Sequence, residues 1–117
     1  MYSNPQKLNT DYVRSLRKEA GQELKALREA QGLSQSDIAR ILNLQQFTFI
    51  SQLETGRARV PPDQYLVWAK ALNIDPKTFV QMLMRYYDPV THKILFGTQS
   101  SLSPAEKERR VRRANVV

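Results

Sequence analysis

The chain has 117 residues, 41% of them apolar, enough for one domain with a modest core plus an arm or tail. Eighteen Lys and Arg against eleven Asp and Glu give a net charge of +7, which favours partners of dense negative charge, nucleic acid first and an anionic membrane surface second. Cysteine is absent, so disulfides and thiolate metal sites are excluded. The opening Met1-Tyr-Ser-Asn-Pro5 lacks the apolar core of a signal peptide, and no run approaches the roughly 18 apolar residues of a membrane span; a soluble intracellular protein is expected.

Val13, Leu16, Ala20, Leu24 and Leu27 recur at steps of three or four and predict one long helix over 11–31, capped by Thr10 or Asn9. Gly21 interrupts that run without shifting its phase. Gly32 sits where a left-handed residue ends the helix, and Ser34 with Asp37 forms a capping-box-like start for a second helix. This helix runs to about Asn43, with Ile38, Ala39 and Leu42 inward. After Leu44-Gln45-Gln46 a third helix is predicted over 47–55, with Ile50 and Leu53 inward, Thr48, Ser51 and Gln52 on the other face, and Gly56 as its stop. Pro61-Pro62-Asp63 opens a fourth helix whose apolar face is Tyr65, Trp68, Ala69 and Leu72. Asp75-Pro76 opens a fifth, to about Tyr87, with Phe79, Leu83 and one of Tyr86 and Tyr87 inward. Asp88-Pro89 then breaks the helix, and His92-Lys-Ile-Leu-Phe96 reads as a short strand-like run ended by Gly97. A polar linker leads to Ser103-Pro104, which opens a last helix ending in Arg109, Arg110, Arg112 and Arg113.

Several of these words stand in a telling order: Leu27-Arg28, Gly32-Leu33-Ser34-Gln35, Ile38-Ala39, Ile50-Ser51-Gln52-Leu53-Glu54-Thr55-Gly56, Pro61, and Ala69-Lys70-Ala71-Leu72. Together they resemble the Cro and lambda-repressor-like (XRE-type) helix-turn-helix regulators over residues 24–83. The resemblance implies an all-α, five-helix lambda-repressor-like DNA-binding domain over residues 21–87, with an extended first helix. A helical extension over 1–20 precedes it, and an appendage over 88–117 follows, made of the strand-like segment and the basic helical tail. The resemblance also implies that the third helix lies in the major groove, roughly 12 Å wide, while the helix before it crosses the backbone.

Carried over residue by residue, the resemblance places Phe47, Thr48, Ser51 and Gln52 at base edges. Gln52 is the best suited, because its amide can bond adenine N6 and N7 together. Gln35, Arg57 and Arg59 are implied phosphate contacts, with Arg40 a weaker candidate. Glu54 is implied to pair with Arg28, holding the first helix to the third. From Gln35 to Glu54 is nineteen positions, one more than the common family spacing. The extra residue falls in 44–47 and either lengthens the turn or adds to the third helix, whose cap is then Gln46 or Thr48.

Other readings are plainer. Phe49 is expected to pack on the core, and Phe47 either to do the same or to rest on a thymine methyl. Trp68 is expected in the core, and Gly56 as a left-handed stop. His92 is the only histidine and has no ligand partners, so neither metal nor cofactor is expected. No nucleophile, second histidine or phosphate loop supports an enzyme. The run Lys107 to Arg113 is either a solvated helix end or a DNA-backbone contact, and it lacks the continuous apolar stripe that membrane binding needs.

The expected function is sequence-specific binding of double-stranded DNA by a transcriptional regulator of repressor type, in the cytoplasm at the nucleoid. A homodimer is expected, with Tyr86 to Phe96 apolar enough for its interface and residues 88–117 the region for any protein partner. The alternatives are an antitoxin, which binds its own operator and caps a toxin, and an adaptor that keeps the fold but no longer reads bases.

Overall fold

The computed structural model describes residues 4–97. Asn9 accepts the backbone N–H groups of Asp11 (2.9 Å) and Tyr12 (3.2 Å) and so starts α1, Thr10–Ala30. Its buried stripe is Val13, Arg17, Ala20, Gly21, Leu24 and Arg28, at helical spacing. Helix α2, Gln35–Ile41, starts in a complete capping box: Asp37 N–H donates to Ser34 Oγ (3.0 Å) and Ser34 N–H to Asp37 Oδ2 (2.8 Å). Helix α3 is Thr48–Glu54. A single 3-10 turn, Pro62–Gln64, leads into α4, Tyr65–Ala71, and α5 is Pro76–Tyr87.

Helices α1 to α4 all end in the same way. The residue after each cap is left-handed: Gly32 (φ 69°), Asn43 (60°), Gly56 (82°) and Asn73 (57°). After α3, for example, Gly56 N–H donates to Leu53 O (3.3 Å) and Arg57 N–H to Gln52 O (2.9 Å), which satisfies carbonyls the helix itself cannot. The chain therefore reverses sharply, and short helices can pack on one centre.

That centre is Leu24, Ile38, Ile50, Leu53, Val60, Trp68, Leu72, Phe79 and Leu83, all fully buried. Helix α1 packs on α3 and α5, while α2 packs on α3 and α4. At Gly21 a Cβ would lie 2.6 Å from the carbonyl carbon of Glu54 and 2.7 Å from Leu53 O. Helix α1 thus meets the last turn of α3 backbone to backbone, which only glycine allows.

Two expectations need correction, and one open alternative is decided. Residues 92–96 are not strand-like: they belong to α6, Pro89–Phe96, so the described residues hold six α-helices and no strand. Asp88 caps α6 by accepting Thr91 N–H at 3.2 Å, and Pro89 occupies its first turn. That local cap outweighs the β-prone composition of the segment. The connection between α2 and α3 runs from Leu42 to Phe47, so the extra residue lengthens the turn, beyond the usual three or so residues of such motifs. The cap position before α3 is held by Phe47, not by Gln46 or Thr48, and no side chain caps the helix. Helix α1 crosses residue 20 without a break. The basic helix expected near Arg109 lies outside the described residues.

Candidate nucleic-acid interface

Helix α3 is fixed from below by one polar cluster. Arg28 Nε donates to Glu54 Oε2 at 2.6 Å, and its Nη2 to Glu54 Oε1 at 3.1 Å. Arg28 Nη1 donates to Leu33 O at 2.7 Å, and Gln35 Nε2 to Glu54 Oε1 at 3.0 Å. One arginine therefore ties α1 to α3 and to the start of α2. The side-chain bond to Glu54 raises the pKa of the already cationic guanidinium. Such a buried pair adds little net stability over an apolar one, but its two-pronged geometry sets the angle at which helices meet.

With Ile50 and Leu53 buried, the opposite face of α3 is turned outward. Thr48 and Gln52 are exposed and Ser51 is half-buried. Phe49 is half-buried and packs on the core, as expected. Phe47 does not: it is 52% exposed, and with Thr48, Gln45, Gln46 and Arg40 it borders a groove at the α2–α3 turn. A neighbouring pair of aromatics is thus divided between core and surface by the point at which α3 begins.

The phosphate candidates differ in how freely they project. Gln35 has one amide N–H engaged by Glu54 and keeps a second for another acceptor. Arg40 is exposed and makes an ion pair with Asp37 at 3.6 Å, a contact water screens heavily. Past α3, the loop crosses directly over α1, and a Cβ on Gly56 would lie 2.8 Å from Lys18 N. Arg57 then stands in solvent. Arg59 is half-buried, its guanidinium 5.0 Å from the centre of the Tyr87 ring.

The sequence reading missed two of these supports. Gly21 reads as a neutral interruption until its place in the buried stripe, one step from Arg17 and Leu24, is weighed. Tyr87 reads only as an inward aromatic, yet it touches a loop 27 residues earlier, accepting Val60 N–H at 3.2 Å. No local pattern announces that contact.

The fold and this outward helix define a class, two short helices joined by a turn and locked to a longer one. The helix-turn-helix domain family matches residues 19–79, just over half of the chain, and the protein belongs to that DNA-binding family. No curated protein matches it. The matched stretch contains every candidate contact from Gln35 to Arg59, while Tyr87 and α6 lie beyond it. No helix among the described residues is long and apolar enough to cross a membrane.

Proposed function

We propose that the protein is a sequence-specific double-stranded DNA-binding regulator of repressor type, with α3 lying in the major groove. The observation that carries this reading is the outward face of α3, Thr48, Ser51 and Gln52, fixed to the body by Arg28, Glu54 and Gln35 and followed by the arginines of the next loop. Gln52 bonds adenine, Thr48 and Ser51 serve either donors or acceptors, and Phe47 rests on a thymine methyl. Arg57, Arg59, Arg40 and the second amide hydrogen of Gln35 meet phosphates and set the register without reading sequence. Occupation of a promoter in this way is enough to obstruct transcription, so the protein acts by equilibrium binding in the cytoplasm, at the nucleoid.

One helix reads only a few base pairs, and the dimer that would double the site is supplied by α6. None of its residues is buried; Ile94 is 77% and Leu95 61% exposed. An apolar helix left so open fits a second copy, and a dimer of this kind reads two half-sites about one turn of DNA apart. The same surface fits a different protein partner. A heterotypic complex through α6 in place of the homodimer would favour the antitoxin reading.

Selection of bound sites from random duplexes tests the proposal, and a two-fold-symmetric site is expected. Gln52→Ala then narrows the gap between specific and random DNA by about 1–3 kcal/mol. Arg57→Ala weakens both alike and flattens the salt slope by roughly 0.9. A Gln52→Ala protein with unchanged specificity refutes the orientation given to α3.

A further inference from the structure

Tyr87 ends α5 and is 2% exposed. Its ring has two guanidinium groups about it, that of Arg17 on α1 at 5.2 Å and that of Arg59 at 5.0 Å from the centroid. Its hydroxyl accepts the backbone N–H of Val60, itself fully buried, at 3.2 Å. Burial pushes the phenol above its ordinary range, so it remains a neutral hydroxyl at all ordinary pH values.

The loop after α3 is thereby held at two points. At Gly56 the backbone of Arg17 and Lys18 leaves no room for a side chain, and at Val60 the main chain is tied to Tyr87. Arg59 lies between these points with its guanidinium over the ring, 5.0 Å from the centroid. Arg57, with no such support among the described contacts, stands in solvent. A long cation already held over an aromatic face gives up less rotamer freedom on meeting a phosphate than one that must be ordered from solution.

We infer that Tyr87 is a positioning residue for DNA binding: it presets Arg59 toward the phosphate backbone, from outside the segment that matches the helix-turn-helix family. This rests on the reading of Arg59 as a phosphate contact. It also ties the contact loop to the α5–α6 junction, because the next residue, Asp88, caps α6.

The test is a double-mutant cycle on the full chain, with its selected duplex, measured across a range of salt. Arg59→Ala is expected to reduce the salt slope by about 0.9. Tyr87→Leu is expected to lower affinity about two- to fivefold in the parent, the size of a partly solvated cation–π contact, and to cost nothing further when Arg59 is already Ala. Tyr87→Phe keeps the ring and is expected to retain the parental slope and most of the affinity. Should Tyr87→Leu fail to fold, Arg59→Lys decides, because it leaves the core untouched and keeps the charge but loses the planar head; a similar two- to fivefold loss at unchanged slope is expected. An equal loss from Tyr87→Leu with and without Arg59 overturns the inference, as does parental affinity in Arg59→Lys or an unchanged slope in Arg59→Ala. Those results leave the base-reading proposal standing, whereas failure of the unmodified protein to prefer any duplex refutes that proposal instead.

Discussion

Gly21→Ala is expected to destabilise the protein, against the usual sign of this exchange in a helix. In an exposed helix interior, alanine in place of glycine gains about 1 kcal/mol of helix propensity. Here the new Cβ would stand 2.6 Å from a backbone carbon and 2.7 Å from a backbone oxygen, where ordinary contact begins at 3.4 Å. Helices α1 and α3 must therefore separate by several tenths of an ångström. Neither side of the contact is a flexible side chain, so the cost lies toward the upper end of the roughly 1–3 kcal/mol typical of overpacking. After the propensity gain, about 2 kcal/mol of net loss remains. In urea, with a slope of about 1–3 kcal/mol per molar, the unfolding midpoint should fall by on the order of 1 M at unchanged slope. Affinity for the selected duplex should fall with it, because the same separation draws Glu54 away from Arg28. A Gly21→Ala protein as stable as its parent would show that α1 and α3 do not meet backbone to backbone. The account of how α3 is aimed would then fail.

Glu54→Ala leaves Arg28 charged and largely buried and removes the acceptor of Gln35, so a loss of about 3–5 kcal/mol is expected in urea unfolding; a loss under 1 kcal/mol would mean that the cluster does not hold α3. Ile94→Glu changes an exposed side chain and should leave stability within about 0.5 kcal/mol; if the proposed dimer forms through α6, sedimentation should report one copy in place of two and affinity for the selected duplex should drop. A dimer that survives Ile94→Glu removes α6 from the interface. The Asp37 carboxylate accepts the backbone N–H of Ser34 at 2.8 Å, and this bond first, with the adjoining Ser34 side chain second, holds the carboxyl below its ordinary range. A depressed folded-state pKa adds stability above the unfolded value, and that stability is lost as pH falls through the folded one. Asp37→Asn should therefore flatten the fall of the thermal midpoint as pH drops below about 5, and parallel curves for the two proteins would contradict this.

Much of the fold was legible because its signals are short-range. Ser34 with Asp37, Gly32 and Gly56 as stops, and the stripes of Leu24, Ile38, Ile50, Trp68 and Phe79 act through neighbours within a helical turn, and each stands where expected. Helix α6 differs from the strand expected there, although its start repeats a visible pattern: Asp88-Pro89-Val90-Thr91 matches Asp75-Pro76-Lys77-Thr78, and in both the Asp accepts the N–H of the Thr three residues on. A short apolar run is ambiguous between strand and helix on periodicity alone, and the cap was the better guide. The resemblance to the Cro and lambda-repressor-like regulators pointed to Arg28 and Glu54 before any distance was known. It did not reveal that Gln35 joins them.

By itself, the order of residues determined where α1, α2, α4 and α5 start and where α1 and α3 stop, which face of each is apolar, and that the chain carries excess positive charge, because these depend on groups within a few positions of one another. Only the tertiary structure decided that Phe47 is outside, that Gly21 admits the last turn of α3, and that Tyr87 supports Arg59 and Val60. Those contacts join positions some thirty residues apart, and they arise from the angles at which helices cross once a common core has drawn them together. The candidate contacts lie on short-range elements, but the direction in which they point is set by such crossings.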